Sequence, residues 1–157
     1  MSEPVARTPV GDAFTALVLQ VVRLNGLFTA AGEALAAPAA QTLARWVVLD
    51  AIQDRPATVA QVARGVGLSR QSVQRIANLL VRDGLAVYED NPRHRRAKLL
   101  VLTPLGRSTL HTIQSAQRVW ADELGAEIGE AELRVAGGVL DRVLRAMHDR
   151  RDVPRSG

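Results

Sequence analysis

Residues 58–103, TVAQVARGVGLSRQSVQRIANLLVRDGLAVYEDNPRHRRAKLLVLT, constrain the fold of this chain more tightly than any other stretch. Thr58 and Gln61 form a T-x-x-Q capping box, in which each side chain satisfies a backbone donor left unpaired in a first helical turn. Val59, Val62, Ala63 and Val66 then give a short helix its apolar face. Gly67 permits a backbone turn that a bulky residue resists. Ser69 caps a second helix, whose stripe of Val73, Ile76, Leu79 and Leu80 faces inward. Arg70, Gln71, Gln74, Arg75 and Asn78 are left outward, and Asp83-Gly84 ends the helix. LAVYE and KLLVLT have the composition of short strands, with Asn91-Pro92 and a charged run as the loop between them. A helix pair followed by a charged hairpin suits a surface that lays one helix in the major groove of DNA and a basic finger beside it.

Helical patterns flank this segment. From Asp12, read as an N-cap, Phe14, Leu17, Val18, Val21, Leu24 and Phe28 recur at helical spacing towards Leu35. Leu43, Trp46, Val47 and Ile52 mark a second helix that stops before Arg55-Pro56. Thr103-Pro104 starts a long helix towards Ile128, and Leu133, Ala136, Leu140, Val143, Leu144 and Met147 mark a last one over about 130–150. The expected class is mainly α with a small β-hairpin wing, in the order α-α-α-α-β-β-α-α. The expected division is a flexible arm over 1–11, helical flanks over 12–36 and 104–150, a winged helix-turn-helix over 37–103, and a tail over 151–157.

Charge supports the same reading. The formal net charge is only +4 over 157 residues, yet residues 55–98 hold nine basic side chains against three acidic ones. Positive charge is thus concentrated on the segment suspected of touching a polyanion, and all but one of the chain's basic residues are Arg. Arg forks suit phosphates and guanine edges. With 47% hydrophobic and 23% charged residues the composition is that of a globular protein. The N-terminal MSEPVARTPVGDAF is not expected to be a signal peptide. LVLQVVRLNGLF, the nearest approach to a membrane span, is interrupted by Gln20, Arg23 and Asn25. Cys is absent, which fits a reducing compartment and an expected cytoplasmic location. No cofactor or metal is expected. His94, His111 and His148 are far apart, no Gly-rich phosphate loop, HExxH or GxSxG is found, and no enzyme is expected.

Candidate DNA contacts follow from side-chain chemistry. Ser69, Arg70, Gln71, Ser72, Gln74 and Arg75 lie at the start of the second helix, where the groove floor is closest. Arg can grip guanine O6 and N7, Gln can pair with adenine N6 and N7, and the helix start with its Ser hydroxyls can hold a phosphate. Thr58 and Gln61 join them from the first helix. At the hairpin tip, Arg93, His94, Arg95, Arg96 and Lys98 repel one another in isolation and gain against phosphate or a narrow minor groove. Three percent aromatic residues, none in the second helix, disfavours single-strand binding by stacking.

These residues resemble the MarR family of winged helix-turn-helix transcription regulators, over about residues 12–150. The most specific stretch is 79–106, where Leu80, Gly84, Leu85, Asn91, Pro92, Arg96, Leu102, Thr103 and Gly106 match three family features. These are a Leu-x-x-x-Gly-Leu helix end, a D-P-x-D-x-R wing tip and a Leu-Thr-x-x-Gly helix start. His94 stands where the family usually has an Asp that braces the wing arginine, and its protonation would add charge at the tip. The resemblance implies a homodimer on a pseudo-palindromic operator, acting as a repressor and released by a small aromatic or anionic effector. Leu17, Val21, Leu133, Leu140, Val143 and Met147 are the expected dimer contacts, because the flanking helices carry more apolar surface than one copy easily hides. Arg23, Asn25, Trp46, His111 and Trp120 are the expected effector residues, although Trp on a helical stripe also suits plain core. The rival function is a winged-helix module that binds protein instead of reading bases.

Overall fold

The computed structural model describes residues 8–151. The chain divides into two compact units, one up to Gln114 and one from Ser115. The first unit begins with α1, Pro9–Ala36, which Thr8 caps by accepting from the Gly11 amide at 3.1 Å. The helix therefore starts one turn before Asp12, the predicted cap. Thr8-Pro9 is the stronger start signal, because Pro at the first helical position lacks only an amide hydrogen that would have no partner there. Of the arm expected over 1–11, residues 8–11 belong to this start and the remainder lies outside the described residues. So does the expected tail beyond Arg151.

A 3-10 turn over 37–39 and a left-handed Ala40 (φ 55°) lead to α2, Leu43–Ala51. Then follow β1, Ala57–Thr58, α3, Val59–Val66, and α4, Arg70–Arg82. The wing strands are β2, Ala86–Glu89, and β3, Leu99–Leu102. The sheet has three antiparallel strands in the order β1-β3-β2, with Thr58 opposite Leu99 and Tyr88 opposite Leu100. The sequence predicted a two-stranded hairpin. β1 escaped because two residues carry no periodicity and are a strand only through pairing with β3.

Val48, Leu49, Ile52, Val59, Val62, Val73, Ile76, Leu80, Leu85, Leu100, Leu102 and Leu110 form the core of this unit. Burying a Leu or Val of this kind contributes about 1.5–3 kcal/mol relative to exposure. Thr103 joins the wing to α5, Pro104–Ile128: its hydroxyl donates to the Gly84 carbonyl at 2.7 Å and accepts from the Gly106 amide at 3.0 Å. A Cβ on Gly106 would collide with the Leu85 carbonyl oxygen, which explains the Leu-Thr-x-x-Gly pattern in steric terms.

α1 contrasts with this core. Only Gly32 and Ala36 are buried in it, while Val22, Leu27 and Phe28 are more than half exposed. By length and composition alone, residues 9–39 form a helix able to cross a membrane, with mean hydropathy 1.4 in its most apolar window. Gln20, Arg23 and Asn25 interrupt the stretch in the sequence, but the Ala-rich turns that follow Phe28 extend it. The second unit holds the end of α5 and α6, Glu130–Arg151, joined at Gly129 with φ 100°. No residue of α6 is buried among those described.

Candidate nucleic-acid interface

The helix pair is built as its caps dictate. The Thr58 hydroxyl accepts from the Gln61 amide at 3.3 Å, and the Gln61 side chain accepts from the Thr58 amide at 2.8 Å. Gly67 takes the left-handed conformation (φ 70°) between α3 and α4. Ser69 accepts from the Ser72 amide at 3.1 Å and donates to the Ser72 hydroxyl at 2.8 Å. Thr58, Gln61, Ser69 and Ser72, all expected to touch DNA, thus direct polar atoms to the helix starts. Their first contribution is to cap α3 and α4.

Val73, Ile76, Ala77 and Leu80 bury one side of α4 against the core, which fixes the other side outward. Arg70, Gln71, Gln74 and Arg75 are exposed there. Arg70, Gln74, Tyr88, Arg96 and Lys98 line a groove between α4 and the wing, with Thr58 and Ala60 at its α3 end. The tip is shaped by Asn91, whose side chain accepts from the Arg93 amide at 3.0 Å and whose carbonyl accepts from the His94 amide at 3.2 Å. The Ala97 amide closes a second turn on the His94 carbonyl at 3.0 Å. Backbone bonds therefore hold the tip in the absence of an Asp at position 94, and Arg93, His94, Arg95 and Arg96 are exposed on it.

Among the described residues, ion pairs join Arg45 to Asp83, Arg82 to Asp83 and Arg134 to Glu130; none engages Arg70, Arg75, Arg93, Arg95, Arg96 or Lys98. These six cations of α4 and the wing are therefore left without an ion-pair partner among the described residues, which favours a polyanion. Asp83 instead serves the scaffold. Its carboxylate accepts from Arg82 at 3.0 Å and from Arg45 of α2 at 2.7 Å, fastening the end of α4. The Arg82 and Arg45 hydrogen bonds hold its pKa below the ordinary 3.8.

Sequence reasoning missed Tyr88. Its half-buried ring packs against the core, and its hydroxyl reaches the exposed face of α4. The Gln74 amide nitrogen donates to it at 2.7 Å and to the Asn78 carbonyl oxygen at 3.0 Å, and the Tyr88 hydroxyl donates to that same oxygen at 2.9 Å. Burial raises the Tyr88 pKa, opposed by the Gln74 bond, so the hydroxyl keeps its proton at neutral pH. The expected two-point pairing of Gln74 with adenine N6 and N7 needs an amide nitrogen that is already engaged. The available signal was position: Tyr88 is the chain's only Tyr and sits at an inward register of a wing strand.

Of the expected effector residues, Arg23 and Asn25 are exposed on α1, Trp46 packs against the core of the first unit, His111 is exposed on α5, and Trp120 is half-buried in the second unit. Of the expected dimer contacts, Leu17 and Val143 are half-buried, whereas Val21, Leu133, Leu140 and Met147 are 40–52% exposed.

A sequence profile described as MarR family matches residues 42–97, which span α2 to the wing tip. Uncharacterized proteins of Mycobacterium tuberculosis and Mycobacterium bovis are 41% identical over 138 residues, 88% of this chain and 96% of their own length. Among solved structures, the MarR family transcription regulator SP03579 matches with a TM-score of 0.80 at 23% identity, over 90% of this chain and 95% of its own. The transcriptional repressor CouR bound to a 23-mer DNA duplex matches with a TM-score of 0.76 at 22% identity, over 88% of this chain and 99% of its own. CouR from Rhodococcus jostii RHA1 bound to p-coumaroyl-CoA matches at 0.74 and 19% identity, over 81% and 90%.

Proposed function

Because this chain belongs to the MarR family of transcription regulators and has the winged-helix DNA-binding fold, we propose that two copies of it bind a pseudo-palindromic operator in the cytoplasm and repress transcription. One observation carries this reading: Arg70 and Arg75 of α4 and Arg93, Arg95, Arg96 and Lys98 of the wing have no carboxylate partner among the described residues. Arg70, Gln71 and Arg75 enter the major groove, while Arg93, Arg95, Arg96 and Lys98 meet phosphate or the adjacent minor groove. CouR, a repressor with a similar fold, supports the assignment by being held on a duplex.

Exposed apolar surface supports a second copy. Val21, Leu133, Leu140 and Met147 leave large apolar areas open on α1 and α6. Gly137 and Gly138 lie inside α6 with open space where a Cβ would stand. A helical Gly costs about 1 kcal/mol relative to Ala. Nothing among the described residues requires that cost, whereas a close partner backbone would.

An effector of aromatic, anionic character would release the operator. CouR in its complex with p-coumaroyl-CoA supports that class. Arg23 and His111 would meet the anion, with Asn25 and Trp46 contributing polar and aromatic contacts. Of these, Trp46 is the most committed to the core. A panel of aromatic acids and their thioesters tests this by thermal shift and by release of bound duplex.

Selection from a random duplex pool tests the main proposal, reporting binding, symmetry and half-site spacing together. Arg75→Ala should relax preference at one base pair per half-site. Arg95→Ala should weaken binding to all sequences and lower the salt slope by about one unit per copy. A wild-type chain that passes through duplex columns at low salt, with both variants behaving alike, would leave the protein-binding alternative in its place.

A further inference from the structure

We infer that Tyr88 is a positioning residue for base readout, locking Gln74 and Asn78 so that Gln74 offers a duplex only its carbonyl oxygen and Asn78 only its amide N–H groups. This rests on the DNA reading above. A primary amide has one carbonyl acceptor and two N–H donors, and a Tyr hydroxyl has one donor and acceptor capacity. The two donors of Gln74 go to Tyr88 at 2.7 Å and Asn78 at 3.0 Å, and the Tyr88 donor goes to Asn78 at 2.9 Å. The Asn78 carbonyl oxygen thus receives two bonds, which fill both its lone pairs. What remains unpartnered among the described residues is the Gln74 carbonyl oxygen and the Asn78 amide nitrogen. Gln74 and Asn78 are four residues apart, so both remainders lie on one outward face of α4.

The lock is stiff because its anchor is not on the helix. Tyr88 sits on β2 opposite Leu100 of the central strand, with its ring against the core. A free Gln can turn its amide and accept or donate as a base requires. Gln74 in this triangle cannot turn by itself without breaking bonds to two partners. Its carbonyl oxygen selects a base amino group, adenine N6 or cytosine N4. The Asn78 donors select guanine O6 or N7, thymine O4, adenine N7 or a phosphate. Specificity at the Gln74 position is thereby set by a side chain of the wing sheet.

Site selection from a random duplex pool with wild type, Gln74→Ala, Tyr88→Phe and the double variant tests this, alongside affinity for mixed-sequence duplex and melting temperature. The base pair whose preference Gln74→Ala abolishes marks the Gln74 position. Tyr88→Phe, which keeps the ring, should reduce preference there by about fivefold to tenfold and leave other positions within about twofold. Mixed-sequence affinity should hold, and the double variant should lose no more than Gln74→Ala alone. Deleting the exocyclic amino group of the base at that position should weaken wild type and leave Tyr88→Phe little changed. Unchanged preference in Tyr88→Phe, an equal loss on all sequences, or no penalty for deleting the amino group overturns the inference while the DNA reading stands. A wild type that retains no duplex overturns both.

Discussion

In α4, Val73, Ile76, Ala77 and Leu80 are buried and the cations stand outside. In α6, Leu133, Val135, Leu140, Leu144 and Met147 are 40–69% exposed, and no residue is buried among those described. The first half of α1 resembles α6 in this respect, with Val10, Leu19 and Val22 more than half open. Both kinds of helix are amphipathic enough to form, but only α4 finds a surface for its apolar side within one copy. The difference teaches where folding is complete. The winged-helix region closes its own core and exposes chemistry for a ligand, whereas the flanking helices expose the very groups that a core would use.

That contrast can be broken or sharpened by substitution. The largest effect belongs to Leu80→Ala, a fully buried side chain at the centre of the winged-helix core. It should cost about 3 kcal/mol of unfolding free energy, with the loss independent of protein concentration in denaturant melts. Leu140→Ala should cost about 2 kcal/mol if a second copy covers α6, and the loss should grow towards that value as protein concentration rises. A loss below about 0.5 kcal/mol at every concentration would mean that α6 stays open, as surface substitutions of that size are ordinary. Gly138→Ala discriminates by sign. In an uncovered helix it should stabilise by up to about 1 kcal/mol, whereas a close partner backbone should make it weaken self-association in sedimentation measurements. The smallest effect is that of Asp83. Its folded pKa lies below the ordinary value, so its ion pairs support the fold fully at neutral pH and lose that support as pH falls below about 4. Asp83→Asn should flatten the acid limb of a stability–pH profile and do so in the winged-helix region alone.

Local chemistry made much of the interface legible in the sequence. The Thr58–Gln61 box, Gly67, the Ser69 cap and the Thr103–Gly106 joint all act over three or four residues, and each is found where its pattern stands. Distance in sequence hid the remainder. β1 exists only because Ala57 and Thr58 meet Leu100 and Leu99. Arg45 and Asp83 pair across 38 positions. Tyr88 looked like a strand residue until its hydroxyl was placed against a helix ten and fourteen residues earlier. At the start of α1 two cap signals competed within five residues, and the one followed by Pro won.

Thr58 has two roles, ending β1 against the central strand and capping α3. The first helix of the pair is therefore welded to the wing through a single residue, and Tyr88 adds a rivet to the second. Fingers joined this way cannot be retracted one at a time. In the proposed dimer, a signal that loosens the grip would have to tilt the whole hand, so switching would appear as a change in the angle and separation of two heads, with the contour of each left intact.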